Sequence, residues 1–361
     1  MMKRLLFLFL GCAGWFTSNA QLAQATAPVA KDSLEMAKAN ELALVADKLY
    51  KSGLEYLSQK EYRTAVIDLD SVIALRPEFE QAYMGRAAAY LELKEVQRAI
   101  DDYSKVAALN SKNAQALFNR GKAKYLLKDK TGAAADYTQT LEADPNYYQA
   151  LYQRGGLHFE NGDYKTAMED YSAVIKISPR NGYAYHDRGT AKRQLNDMEG
   201  ALADYRKAIE VNPDIAMAYF SLGNYKLGKK DYTGAAEEFS KAIERNKDYY
   251  LAYNSRGRAK YEAGDYEGAL ADFTKAVQLN PQYAFAFNNR AAAKYKLQDF
   301  KGALEDCNFA LQINPDYGYA YFNRGNAKEM LRDASACQDW EKAVSLNVPA
   351  AKAYLLYCQE K

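Results

Sequence analysis

Glycine recurs at a 34-residue spacing along most of this chain. Gly53, Gly121, Gly155, Gly189, Gly223, Gly257 and Gly325 fall on one lattice, whose two vacant points hold Ala87 and Ala291. Twelve residues after each of the first eight points stands an alanine: Ala65, Ala99, Ala133, Ala167, Ala201, Ala235, Ala269 and Ala303. Prolines close most units in the same register, at Pro77, Pro145, Pro179, Pro213, Pro281 and Pro315. The ninth unit runs one residue short between its helices, so its alanine is Ala336 and its aromatic Trp340. A period of this length means one supersecondary element copied along the chain, each copy resting on its neighbours.

The fourth unit shows how each copy folds. Tyr148–Glu160 has helical spacing, with small residues at Ala150 and Gly155 and bulky ones between. Asn161-Gly162-Asp163 reads as a turn, where glycine supplies the left-handed conformation that closes a helix. Lys165–Ile177 then places Ala167, Tyr171, Val174 and Ile177 on one face, and Pro179 ends the run. Two antiparallel helices approach closely only where side chains are minimal. A single hairpin cannot bury its own apolar face, so neighbours must stack.

Glycine at the eighth position, alanine at the twentieth, an aromatic at the twenty-fourth and proline at the thirty-second resemble the tetratricopeptide repeat (TPR) family. The seventh unit, YLAYNSRGRAKYEAGDYEGALADFTKAVQLNPQY, shows the pattern, and the resemblance covers 305 of 361 residues. It implies an all-α fold, a right-handed α-solenoid superhelix of TPR helical hairpins whose first helices line a concave groove. The nine units span 46–350, as 46–79, 80–113, 114–147, 148–181, 182–215, 216–249, 250–283, 284–317 and 318–350. A lead-in at 21–45 carries a shielding helix, and 351–361 reads as a C-terminal capping helix.

One departure recurs. Where the family usually has leucine before the glycine, this chain has Arg86, Arg120, Arg154, Arg188, Arg256, Arg290 and Arg324. The second helices carry Asp102, Asp136, Asp170, Asp204, Asp272, Asp306 and Asp339 one position before the aromatic, whose place Cys307 takes in the eighth unit. The unit that keeps Leu222 has Glu238 instead. Each arginine with its aspartate predicts an ion pair between the two helices of a hairpin. A lysine four residues on, as in Lys124, Lys192, Lys260, Lys294 and Lys328, shares that helical face. As exposed pairs, these would contribute about 0–1 kcal/mol each.

TPR proteins mostly bind peptides or proteins, and the resemblance implies a groove lined by the second, fifth, sixth, ninth and twelfth positions of each unit. Candidate contacts are Phe118, Asn119, Tyr125, Gln149, Tyr152, Gln153, Tyr183, His186, Asn289, Tyr295, Tyr319 and Asn323. Aromatic faces give contact area at low entropy cost, and amides can hydrogen-bond a bound backbone. The Lys/Asn/Arg clamp by which some TPR proteins grip a chaperone's C-terminal carboxylate is absent.

Composition narrows the remaining classes. Forty-eight Lys+Arg against 46 Asp+Glu leave a net charge of +2, without the basic excess of a nucleic-acid or membrane-surface binder. Two histidines, His158 and His186, and four cysteines supply little for a metal centre, and no HExxH, GxSxG or phosphate-binding loop is present. The chain therefore reads as a non-enzyme without cofactor or metal.

Residues 1–20 have a basic start at Lys3 and Arg4, an apolar run of roughly 12 residues where about 20 are needed to span a bilayer, and small residues at Ser18 and Ala20. They read as a signal peptide cleaved before Gln21, with lipoprotein processing at Cys12 as the alternative. The mature chain keeps Cys307, Cys337 and Cys358, an odd count without tight spacing, which reads as core thiols; the alternative is a pair between Cys337 and Cys358. The expectation is an exported adaptor, periplasmic or envelope-associated, that takes a peptide or protein partner. The alternatives are a structural protein self-associating through its C-terminal end and a glycan binder.

Overall fold

The computed structural model describes residues 35–359, and every regular element among them is an α-helix. Residues 1–34, which include the expected signal peptide, Cys12 and most of the lead-in, lie outside the described residues. α1 covers 35–58. It is followed by α2 (Tyr62–Leu75), α3 (Glu80–Glu92), α4 (Val96–Leu109), α5 (Ala114–Leu126), α6 (Lys130–Ala143) and α7 (Tyr148–Glu160). Next come α8 (Tyr164–Ile177), α9 (Gly182–Gln194), α10 (Met198–Val211), α11 (Ala216–Gly228), α12 (Tyr232–Arg245) and α13 (Tyr250–Glu262). The series closes with α14 (Tyr266–Leu279), α15 (Ala284–Lys296), α16 (Phe300–Ile313), α17 (Gly318–Met330), α18 (Ala336–Ser345) and α19 (Ala351–Gln359). The chain divides after Leu157, inside α7, into an N-terminal and a C-terminal body.

In the N-terminal body each helix packs on the next, as in TPR solenoids. α1 is one continuous helix through both the lead-in and the first unit's opening helix, so no separate shielding helix precedes that unit among the described residues. Its Leu49, Tyr50 and Leu57 pack against Leu69, Val72 and Ala82, and Arg76, the C-cap of α2, fastens it through Asp47 at 2.7 Å. Gly121 explains the glycine lattice. A Cβ built there would lie 2.7 Å from the Tyr137 ring, so α5 and α6 touch only because the side chain is missing.

The C-terminal body repeats that arrangement with other partners. A Cβ built at Gly257 would lie 2.7 Å from the Phe273 ring, and one at Gly325 would lie 2.6 Å from the Trp340 indole. The lattice alanines, from Ala65 to Ala336, are buried, which leaves no room for a larger side chain without overpacking. The first helices lie side by side, α11 with α13, α13 with α15 and α15 with α17.

The turn between the two helices of each hairpin sits at the fifteenth position in the left-handed conformation. Glycine fills it only at Gly162 and Gly264. Lys60, Lys94, Lys128, Asn196, Lys230, Gln298 and Arg332 adopt φ between 59° and 66°. The next residue caps the second helix in six hairpins, Asp129, Asp163, Asp197, Asp231, Asp265 and Asp299 each accepting a backbone N–H three residues on.

Two cysteines differ from the core-thiol reading. Cys337 on α18 and Cys358 on α19 form a disulfide with Cα atoms 5.9 Å apart. It joins the capping helix to the last hairpin, where Tyr354 packs on Trp340 and Phe322. The ninth unit's shortened turn and the return of α19 bring together residues 21 apart, which sequence spacing alone does not reveal. Cys307 remains a buried free thiol, pushed up to about 12 by burial.

Candidate binding face

The charged side chains form a built network. Arg120 donates through Nε and Nη2 to Asp136 at 2.9 and 2.6 Å, and Lys124 reaches the same carboxylate at 2.8 Å. The arrangement recurs for Arg188–Asp204 with Lys192, Arg256–Asp272 with Lys260, Arg290–Asp306 with Lys294, and Arg324–Asp339 with Lys328. Arg86 binds Asp102 in the same two-pronged way. Arg154 donates to Thr138 at 3.3 Å, and buried Asp170 lies 4.0 Å from the His158 ring.

These pairs are not the exposed contacts expected from sequence. The aspartates are 1–5% exposed, sunk between the helices because the small lattice residues bring the backbones close. Burial changes the energetics: removing one partner strands a desolvated charge, at a cost of about 3–5 kcal/mol. The two tendencies are visible at Asp102, whose pKa is raised because desolvation outweighs the Arg86 hydrogen bonds. The Arg86 guanidinium is held further toward the charged form by its bond to Asp102. Burial also pushes the phenols of Tyr103 and Tyr137 up to about 12.

A third partner was missed from sequence. The Nη1 of six of the seven arginines reaches back to the preceding hairpin, Arg86 to Asp70, Arg120 to Ser104, Arg154 to Thr138, Arg188 to Ser172, Arg256 to Ser240 and Arg324 to Asn308. All the acceptors stand at the twenty-fifth position, so a small polar residue recurring there was the available signal. The arginines thus tie hairpin to hairpin as well as helix to helix.

The predicted groove residues separate by position. At the fifth position, Phe118 is buried in a core with Tyr137 and Tyr147 rather than presented to a ligand. His186 is buried too, its Nδ1 2.9 Å from Asp187 and its Nε2 3.2 Å from Ser221 of the next first helix. Both are corrected from groove contacts to packing residues: the fifth position points into the seam between neighbouring hairpins. Tyr152, at the same position, is half-buried.

Residues of the sixth position are engaged across the same seam or along their own helix. Asn289 donates to Asn254 at 3.0 Å, and Asn323 to Asn288 at 2.9 Å. Asn119 accepts from Gln115 at 3.1 Å, while Gln153 is exposed. At the twelfth position Tyr125 is exposed, and Tyr295 stands edge-on to Phe300 at 5.3 Å. The open face belongs to the second position, with Gln149, Tyr183, Phe285 and Tyr319 exposed, the last three by 47%, 49% and 55%. Phe285 continues into a chain of rings with Tyr283 and Tyr317.

With this geometry in place, sequence comparison gives the family. A tetratricopeptide repeat model matches residues 50–114, 118–182 and 186–250, together more than half of the chain. This chain belongs to the TPR family. Further TPR matches cover 257–298 and 284–317. No curated protein matches the chain. Among solved structures, MamA is similar at 26% identity with a TM-score of 0.41, over 47% of this chain and 93% of that one. YrrB, described as a TPR protein with an unusual peptide-binding site, matches at 22% identity and 0.41, over 51% and 95%. A TPR protein from Parabacteroides merdae matches at 16% and 0.45, over 80% and 98%. Among the described residues of this TPR chain, no helix is long and apolar enough to cross a membrane, and no cluster of His, Cys, Asp or Glu could hold a metal.

Proposed function

We propose that this protein is an exported, non-catalytic TPR scaffold that binds an extended segment of a partner protein across its first helices. The observation that carries the reading is the contrast between the ion pairs and the second positions. The network charges are matched internally, whereas Tyr183 on α9, Met217 on α11, Phe285 on α15 and Tyr319 on α17, all at the second position of their units, stand exposed with large apolar surface facing water. Such surface marks interaction sites in soluble proteins. Export is supported by the signal-like residues 1–20 and by the Cys337–Cys358 disulfide, which persists in oxidising compartments.

The test is immunoprecipitation from the native envelope fraction, comparing wild type with the triple variant Tyr183→Ala/Phe285→Ala/Tyr319→Ala. A partner present with wild type and absent from the variant is expected. Equal recovery of every partner by a folded variant would sink the reading. Phe118 is unsuitable for this purpose because its removal opens a core cavity.

A further inference from the structure

The repeat serves as its own control: side chains that the fold requires recur, and those that break the pattern are free for other work. Two positions that the fold does not hold to one residue type, since their side chains vary among the hairpins, adjoin between α9 and α11. In three other hairpins the twelfth position is an aromatic stacked edge-on against one at the seventeenth, in Phe159–Tyr164, Tyr261–Tyr266 and Tyr295–Phe300. The fifth hairpin has Arg193 and Met198 at those positions. In the next hairpin, Lys229 stands where five hairpins have leucine (Leu93, Leu127, Leu195, Leu297 and Leu331) and three have Gln59, Asn161 and Ala263, so a cation occurs there once.

With the aromatic pair missing, an open cavity of about 450 Å³ forms, lined by Arg193, Met198, Ser221, Asn224, Tyr225 and Lys229. Gly228 also lines it. A Cβ there would meet nothing within 4 Å, and its φ lies outside the left-handed region, so neither packing nor backbone explains that glycine.

Arg193 and Lys229 make no ion pair among the described residues, although Lys229 lies 5.8 Å from the Tyr225 ring. Cations favour helix C-termini, where Arg193 shares the last turn of α9 with Lys192, and Lys229, the C-cap of α11, follows Lys226. The acids of the adjoining turns, Asp197 and Asp231, cap α10 and α12. The cavity is therefore a cationic pocket with apolar and amide walls. Tyr183, ten residues before Arg193, and Met217, twelve before Lys229, are exposed on the same two helices, about 15–18 Å away at 1.5 Å per residue. An extended chain covers that distance in about four or five residues.

We propose that this pocket takes the carboxylate side chain of an extended peptide that places a bulky apolar residue on Tyr183 and Met217. The occupant is an internal Asp or Glu about four or five positions from that apolar residue. The inference rests on the peptide-binding reading above and names its ligand class. Arg193 and Lys229 bind the carboxylate, Asn224 hydrogen-bonds the segment's backbone, and the absent Gly228 side chain leaves the space.

The test uses the full-length protein and fluorescein-labelled 12-residue peptides with one Phe and one Glu spaced three to six apart on a Gly/Ser/Ala background, followed by anisotropy. Parallel sets carry Gln or Lys in place of Glu. The Glu peptide with matching spacing is expected to bind at least about tenfold more tightly than its Gln partner, the range for hydrogen bonds to a charged group. Arg193→Glu and Lys229→Glu should abolish that preference and turn it toward the Lys peptide. Gly228→Leu should fill the cavity and abolish binding without lowering thermal stability, since it replaces a poor helix former. Equal binding of Glu and Gln peptides, or wild-type affinity in Arg193→Glu or Gly228→Leu, overturns the pocket and leaves peptide capture standing. Binding of no peptide, with partner capture still dependent on Tyr183, Phe285 and Tyr319, overturns the pocket alone. Loss of both overturns both readings.

Discussion

The neighbouring hairpins α11–α12 and α13–α14 solve one packing problem in different ways. In α13–α14, Arg256 grips Asp272 at 2.9 and 2.7 Å, Lys260 adds a contact at 2.9 Å, and the remaining guanidinium nitrogen reaches Ser240. In α11–α12 the arginine is replaced by Leu222, which packs with Leu202 and Tyr205. The longer Glu238 takes Lys226 at 2.8 Å and Lys241 at 3.3 Å. What both hairpins keep is a buried carboxylate beside the aromatic; the cation's origin is negotiable. The exchange extends one hairpin further. Every other small polar acceptor at the twenty-fifth position precedes an arginine hairpin, and only before Leu222 does that position hold a cation, Arg206. Regular pairs thus bind a hairpin to its predecessor through polar contacts, and the exception does so through apolar ones.

The largest break in this comparison is Arg256→Leu. It leaves Asp272 buried with Lys260 as its remaining cation, and a loss of about 3–5 kcal/mol is expected. In a repeat array this destabilisation is local, so it should be read by hydrogen exchange on α13 and α14 rather than by one melting temperature. The double variant Arg256→Leu/Asp272→Glu copies α11–α12 and should recover at least half of the loss. If it recovers nothing, the two arrangements are not interchangeable.

A smaller effect tests what the hairpins share. A Cβ at Gly257 would meet Phe273 at 2.7 Å, and one at Gly223 would meet Phe239 at the same distance. Gly257→Ala and Gly223→Ala should each cost about 1–3 kcal/mol, and equally, because helix approach is set by that contact and not by the ion pair. Unequal losses under chemical denaturation would show that the charged residues also set the spacing. Ala87 opposite Tyr103 shows that alanine is accommodated where a helix pair is set for it.

Why the hairpins were legible in sequence follows from these contacts. Gly257, Ala269 and Phe273 lie at one closest approach, and no substitution is neutral there, so the period survives in plain view. The Arg256–Asp272 pair was visible for the same reason. Its depth was not, because burial depends on helix separation that charge spacing does not encode. Phe118 and His186 were misplaced because fifth and second positions share one helical face, and only stacked neighbours decide which faces the seam. The Cys337–Cys358 bond was obscured because α19 lies outside the lattice.

Leu222→Arg sharpens the comparison at about 0.5–1 kcal/mol. The new guanidinium would have Glu238 to bind but would reach back toward Arg206, which lines the same surface cavity as Leu222. Adding Arg206→Ser supplies the acceptor found at Ser172 and Ser240 and should erase the cost. A double variant no better than the single one would show that the polar tie between hairpins does not depend on that position.

The smallest effect lies in the turns. Lys230 adopts φ of 62° where Gly264 in the next hairpin has 88°, and both hold the same left-handed position. A Cβ costs about 1–2 kcal/mol in that conformation, whereas glycine gives back part of the gain through its greater freedom in the unfolded chain. Lys230→Gly should therefore stabilise α11–α12 by up to about 1 kcal/mol, and Gly264→Lys should weaken α13–α14 by a similar amount. Nothing lies within 4 Å of a Cβ at Gly264, so backbone conformation alone is being tested. Opposite signs in hydrogen exchange across the two turns would establish that each turn limits its own hairpin, while a null result at both would place the limit in the helix contacts.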